Sequence, residues 1–314
     1  MEFHHIPILL PECMAALAPE RGGVFVDCTA GGGGHSFEIA SRLPNDGHSR
    51  LICLDRDDEA IAACRAKLAP LGNRFTIVKS NFRDLHAALQ SVGVERIDGV
   101  LWDLGVSSHQ LDDTERGFSY TADAPLDMRM DQSAGLSAYE VVNTYPEEEL
   151  KRILWLYGEE KFSGKVARAI VQRREKAPIR TTLALAETVS GAIPTRQKES
   201  QHPARRAFQA IRIEVNGELD AIEPSIRAAV EHMNPGGRLA VITFHSLEDR
   251  IVKETFRTLS TGCTCPPNFP VCVCGNKPKI TLLSKKPIIP SDAELSENPR
   301  SHSAKLRVAE RTEF

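Results

Sequence analysis

Four consecutive glycines, residues 31–34, stand between the apolar run Val24-Phe-Val-Asp27 and a helix-forming segment that begins at His35. Glycines at a strand-to-helix turn let the backbone approach a ligand closely and adopt positive φ, and the helix that follows presents unpaired amide donors. The chemistry this suits is the binding of a nucleotide-like cofactor, with Gly31, Gly33 and Gly34 as contact points. A second apolar run, Arg50-Leu-Ile-Cys-Leu-Asp55, ends on a carboxylate about 20 residues further on, where nucleotide-binding folds place the acid that holds ribose hydroxyls. Asp55 is the ribose candidate, with the N-cap of a helix over 57–68 as its alternative role. A third run, 75–79, leads into Ser80-Asn-Phe-Arg-Asp84, where Phe82 suits stacking on a base and Asn81 or Asp84 its polar edge.

Positioning these groups requires strands alternating with helices. Arg96-Ile-Asp-Gly-Val-Leu-Trp-Asp103 reads as a fourth strand ending on a carboxylate. A fifth follows the Asn-Pro-Gly-Gly turn at 234–237 and ends before His245-Ser-Leu-Glu248, and runs at 279–283 and 305–310 close the sheet. Between them, 147–157, 164–176 and 181–190 show helical spacing of apolar residues. The expected fold class is α/β: a Rossmann-like, doubly wound, mostly parallel sheet formed by 1–111 and 213–314, with a helical insertion over 112–212. Right-handed crossovers put ligands at the carboxyl ends of parallel strands, so residues 31–35, Asp55, Phe82, Asp103 and His245 should converge on one edge.

The chain of 314 residues is 41% hydrophobic and has no apolar run approaching the roughly 20 residues that span a bilayer. Residues 1–18 lack a basic start and are interrupted by Pro7 and Pro11, so a cytoplasmic, soluble protein is expected. The formal charge of -3 conceals a basic region: 151–212 holds 14 Lys and Arg against 5 Glu and no Asp. Arg173, Arg174, Lys176, Arg205 and Arg206 form the main candidate patch for nucleic-acid phosphates, within a wider surplus that includes Arg168, Arg180, Arg196, Lys198 and Arg212. Each alone reads better as a solvated charge on a helix face, and it is the surplus as a whole that points to nucleic acid.

Eight blocks carry a family resemblance: Asp27-Cys-Thr-Ala-Gly-Gly-Gly-Gly-His-Ser36, Ser80-Asn-Phe-Arg-Asp-Leu85, Asp103-Leu-Gly-Val-Ser-Ser-His-Gln-Leu-Asp112, Arg116-Gly-Phe-Ser-Tyr120, Pro125-Leu-Asp-Met-Arg-Met130, Phe208-Gln-Ala-Ile-Arg-Ile-Glu-Val-Asn216, Thr243-Phe-His-Ser-Leu-Glu-Asp-Arg250 and Lys305-Leu-Arg-Val-Ala-Glu310. Their order resembles the RsmH (MraW) family of bacterial small-subunit ribosomal RNA methyltransferases, within the class I S-adenosylmethionine-dependent enzymes. The resemblance implies methylation of the exocyclic N4 amine of a cytosine in the decoding region of 16S ribosomal RNA, within the small ribosomal subunit and without an obligate protein partner. It further implies that Gly33, Gly34, His35, Asp55, Phe82, Asp103 and Gln110 contact S-adenosylmethionine. Family members often carry Pro where this chain has His109. The Asn-Pro-Pro-aromatic tetrapeptide of many amino methyltransferases is replaced here by Asp103-Leu-Gly-Val, so the acceptor atom comes from the resemblance alone.

Methyl transfer from a sulfonium is an in-line displacement, and a cytosine N4 is a poor nucleophile because its lone pair is delocalised into the ring. An oxygen acceptor that takes a hydrogen bond from the amine stabilises the developing positive charge, and Asp103 is the first candidate for this catalytic role. Ser107, Ser108, His245 and Glu248 are further candidates. The base must be turned out or already exposed, and the insertion, with Trp155, Tyr157, Phe162 and Phe208 beside its cations, is suited to grip the RNA.

Cys13, Cys28, Cys53 and Cys64 read as small buried hydrophobes. Cys263, Cys265, Cys272 and Cys274 place four thiols within twelve residues, but Cys-x-Cys differs from the common Cys-x2-Cys knuckle. Reduced thiols in a proline-braced loop are the default there, and no metal is assigned. Two other functions share some of these features. A nicotinamide-dependent oxidoreductase would use the same glycines and Asp55, although its third fingerprint glycine falls at Ser36; an RNA-binding protein with a vestigial cofactor site would keep the basic region alone.

Overall fold

A computed structural model describes residues 7–194 and 202–314 except 267, 268, 270 and 272. The chain divides into two compact units, Met1–Gly105 with Leu219–Phe314, and Val106–Glu218. The boundaries differ from 112 and 212 for a local reason: the helix Arg205–Asn216 continues through residue 212 and stops only where Gly217 takes a left-handed φ of 58°.

In the first unit α1 (Leu10–Leu17) precedes β1 (Val24–Asp27), α2 (Gly34–Arg42), β2 (Arg50–Asp55), α3 (Asp58–Leu68), β3 (Phe75–Lys79), α4 (Leu85–Ser91) and β4 (Ile97–Asp103). The sheet is completed after the insertion by β5 (Met233–Thr243), β6 (Ile280–Leu282) and β7 (Lys305–Arg311). Strand order is β3-β2-β1-β4-β5-β7-β6, with the first five parallel and β7 antiparallel to both β5 and β6. Central parallel strands are covered on both faces and therefore read as unbroken apolar runs. Alternate residues go to opposite cores: Val26, Ile52, Val100, Trp102 and Val241 to one, Phe25, Leu51, Cys53, Leu101 and Ile242 to the other. The buried Trp102 Nε1 donates to Ser225 Oγ at 2.8 Å. Asn-Pro-Gly-Gly does not precede the fifth strand as a separate turn. It forms an irregularity inside β5, where the register with β4 jumps from Ile97↔Met233 to Gly99↔Arg238.

The second unit holds α5 (Ser108–Asp112), α6 (Ala138–Thr144), α7 (Glu147–Leu156), α8 (Ser163–Lys176), α9 (Thr182–Ala192) and α10 (Arg205–Asn216), packed around Val141, Leu150, Ile153, Val166, Ile170 and Ile211. Three of the sequence blocks above clamp its irregular segment. Arg116 Nη2 donates to the carbonyls of Arg129 and Met130, while Asn216 accepts from Met130 N–H at 2.8 Å and donates to Met128 O at 2.7 Å. The chain resumes in the first unit with α11 (Glu218–His232), α12 (Ser246–Ser260) and α13 (Asp292–Glu297).

Candidate active site

The carboxyl ends of β1, β2 and β4 each carry an aspartate, and the glycine turn joins them. Asp55 accepts the Gly31 N–H through Oδ2 at 2.8 Å and the Asp57 N–H through Oδ1 at 3.0 Å. The N-cap of α3 is Asp57, not Asp55, since the Asp57 side chain accepts from Glu59 N–H. Burial raises the Asp55 carboxyl above its usual range, against the lowering effect of these backbone donors. Asp27, 1% exposed, accepts from Ser36 Oγ at 2.6 Å and from Thr29 N–H at 3.1 Å, and burial still lifts it to about 6.

Asp103 is shifted further than Asp27. Its backbone N–H donates to Thr29 Oγ1 at 2.6 Å, which ties the β4 tip to the loop after β1. Oδ2 lies 3.7 Å from His35 Nδ1, and Oδ1 is buried with no hydrogen-bond partner among the described residues. Burial first, then the charges of Asp27 and Glu248, pushes its carboxyl up to about 8. Its side chain remains 25% exposed, so the group is desolvated yet reachable. A protonated or unpartnered carboxyl among other acids favours a ligand that brings positive charge or hydrogen-bond donors, because an unmet buried acceptor is unfavourable by about 1–3 kcal/mol.

Gly33 caps α2 with a φ of 79°, and a Cβ there would lie 3.0 Å from Leu68 Cδ1; one on Gly34 would lie 2.5 Å from Pro7 Cγ. Both glycines are thus required by packing. Gly32 is exposed and open to a Cβ, which makes it the turn residue with most room for a ligand. His35 is buried, and its Nε2 donates to Ile8 O at 3.0 Å, leaving Nδ1 toward Asp103. Phe82 is partly buried against the core, and Asn81 Oδ1 accepts Arg83 N–H at 3.0 Å, so only the Asn81 amide donor stays available.

In the first unit, His245 caps α12. Glu248, 1% exposed, accepts the Phe244 and His245 N–H groups at 2.7 and 3.2 Å, with His245 Nε2 3.1 Å from its Oε1. In the second unit Gln110 is buried and closes a capping box on α5, its Oε1 accepting Ser107 N–H at 3.1 Å. The Ser108 side chain lies outside the described ones. Asp27 and Thr29 were missed as site residues, although both stand in the strand-to-glycine block; an acid at the end of an apolar strand was the available signal.

Within the second unit, Arg173 and Lys176 are exposed at the C-terminus of α8, and Arg205 and Arg206 begin α10. Arg174 is engaged: its two terminal nitrogens donate to Val142 O and Tyr145 O, each at 2.7 Å, and cap α6. Arg212 pairs with Glu218 at 2.8 Å and Arg168 with Glu147 at 3.5 Å, while Arg196 and Lys198 lie outside the described residues. Of the aromatics, Phe208 is core and Tyr157 and Phe162 are partly buried, but Trp155 is 59% exposed. Among the described residues no helix is long and apolar enough to cross a membrane.

A seven-stranded sheet with one reversed strand, and a glycine turn bonded to the acid of the neighbouring strand, define a Rossmann-like methyltransferase domain. The chain belongs to the MraW methylase family, whose model matches residues 2–312. It is 54% identical over 99% of both chains to a protein of Brevibacillus brevis named ribosomal RNA small subunit methyltransferase H. Relatives with the same name share 55% identity in Paenibacillus sp., over 98% of this chain and 99% of the relative, and 52% in Carboxydothermus hydrogenoformans, over 100% of both. A solved rRNA methylase from Streptococcus thermophilus aligns at 11% identity over 96% of this chain and 97% of that one, with a TM-score of 0.42.

Proposed function

We propose that this chain transfers a methyl group from S-adenosylmethionine to the exocyclic N4 amine of a cytosine in the decoding region of 16S ribosomal RNA. Full-length likeness to small-subunit rRNA methyltransferases supports the substrate class, and the unpartnered Asp103 Oδ1 is the observation that carries the chemistry. When bound, S-adenosylmethionine supplies a methyl carbon on positively charged sulfur. In this reading Asp55, which accepts the Gly31 N–H, takes the ribose hydroxyls, and Phe82 covers the base.

Asp103 is the acceptor for the amine. A carboxyl lifted to about 8 is mostly protonated at neutral pH, and a cation brought beside it favours the ionised form. Beside that charge Asp103 would be ionised, and its Oδ1, which has no hydrogen-bond partner among the described residues, would take the amine hydrogen bond and stabilise charge at N4. Thr29 Oγ1 holds the Asp103 backbone N–H, and His35 Nδ1 lies 3.7 Å from its Oδ2. The RNA is gripped by Arg173, Lys176, Arg205 and Arg206 with Trp155 as a stacking surface, in the assembled or assembling small subunit of the cytoplasm, and no second protein is needed for the chemistry.

Calorimetric titration of the purified chain with S-adenosylmethionine, S-adenosylhomocysteine and NAD tests the donor. Saturable binding of the first two, and none of NAD, is expected. Binding of NAD alone would replace this reading with an oxidoreductase.

A further inference from the structure

The segment between α12 and β6 is a long loop whose described Phe and Val side chains face solvent. Phe269, Val271 and Val273 are 51%, 70% and 73% exposed, so burial of these side chains does not give it shape. Its base is nevertheless fixed. Asn276 Nδ2 donates to Thr261 O at 3.2 Å and to Gly262 O at 2.8 Å, and Lys279 N–H donates to Leu259 O at 2.8 Å.

Inside that frame the sulfurs of Cys263, Cys265 and Cys274 all lie within 4.8 Å of one another, and Sγ of Cys274 is 3.7 Å from Sγ of Cys263. A disulfide would require about 2.05 Å, and none of the three is disulfide-bonded. Tetrahedral zinc with Zn–S bonds of about 2.3 Å sets sulfurs about 3.8 Å apart, which the Cys274–Cys263 pair matches. Backbone amides also fix two of the sulfurs in place. Thr264 N–H and Asn276 N–H donate to Cys274 Sγ at 3.3 and 3.5 Å, and Val273 N–H donates to Cys265 Sγ at 3.3 Å. Three sulfurs drawn this close together form the soft donor set that zinc takes.

We infer that Cys263, Cys265 and Cys274 are ligands of a structural zinc ion that organises the loop between α12 and β6. The ion gives the loop the shape that burial of those side chains does not, as metals do in small segments that cannot bury enough surface. The Cys-x-Cys spacing, read above as weak, becomes sufficient because the third thiol returns from nine residues further along the chain.

The test uses the full chain, made without a polyhistidine tag and equilibrated with zinc under reducing conditions before exhaustive buffer exchange. Elemental analysis is expected to find about one zinc per chain, falling below about one tenth in the triple variant C263S/C265S/C274S. Cobalt substitution is expected to give sulfur-to-metal charge-transfer bands with tetrahedral d–d absorption. In the wild-type protein, chelation should expose at least these three thiols to a thiol reagent and open the loop to protease, with the melting temperature of the sheet domain unchanged. Zinc below one tenth per chain in the wild type, full retention in the triple variant, or thiols equally reactive with and without chelator would each overturn the assignment.

Discussion

The Gly31 N–H donates to Asp55 Oδ2 at 2.8 Å, so the acid at the end of β2 fixes the glycine turn that follows β1. One carboxylate thereby shapes the loop and, in the proposed site, receives the ribose. Asp55→Ala removes both roles, and S-adenosylmethionine affinity is expected to fall roughly 10–100-fold, since hydrogen bonds to a charged group are worth about 1.5–3 kcal/mol. Asp55→Asn keeps an acceptor for Gly31 and should lie between. Titration calorimetry with circular dichroism as the control for folding checks both; equal affinity for all three proteins would rule out the ribose role.

Asp103 sets the pH behaviour. Between its ordinary value near 4 and its folded value of about 8, the unfolded chain has lost this proton and the folded chain keeps it. The Asp103 contribution to stability therefore declines as pH rises through that window. Asp103→Asn abolishes the decline, so its melting temperature relative to wild type should climb by a few degrees between pH 5 and pH 8. Methyl transfer by the same variant should drop by about 100-fold or more. A melting difference that is flat with pH would contradict the assignment of this carboxyl.

Donor binding shares that proton. A cationic donor prefers ionised Asp103, so binding near neutral pH should release protons, and affinity should rise up to about tenfold per pH unit below about 8 and then level off. S-adenosylhomocysteine, with neutral sulfur, should show a shallower rise, and Asp103→Asn should show neither. Calorimetry in buffers of different ionisation enthalpy counts the protons directly.

The glycines divide into two kinds. Gly33→Ala meets a positive φ and a Cβ placed 3.0 Å from Leu68, and is expected to destabilise by about 1–3 kcal/mol. Gly32→Ala meets nothing and should leave the melting temperature within about 1 °C while weakening donor binding. Denaturation and binding measured on the same two variants separate packing from recognition.

Among the cations, Arg174→Ala should destabilise by about 1–3 kcal/mol because two carbonyls at the end of α6 lose their donors. Charge reversal at the exposed Arg173 and Lys176 should leave the fold intact and lower the salt dependence of RNA binding by about one unit per lost phosphate contact. Unchanged RNA binding in that double variant would remove α8 from the interface.

Strand ends were legible because central parallel strands are unbroken apolar runs, and each of β1, β2 and β4 stops at an aspartate. What the acids do to one another was not legible. The desolvation of Asp103 and its distance from His35 depend on burial set by the whole sheet, and no local spacing encodes that. Arg174 looked like its neighbours in sequence, yet only the packing of α8 beside α6 turns it inward. Gln110 stood in a recognisable block, but its carboxamide closes a cap three residues back. The thiols of Cys263 and Cys274 meet through a loop closure that spacing alone leaves undetermined.

The most direct test of the methyl-transfer reading is nucleoside mass spectrometry of 16S ribosomal RNA, taken from small subunits of cells lacking this chain, before and after incubation with the purified protein and isotopically labelled S-adenosylmethionine. Label on the exocyclic N4 of a single decoding-region cytidine, absent with Asp103→Asn, is the expected result. Label on ring carbon or ribose, or no label at all, would contradict it.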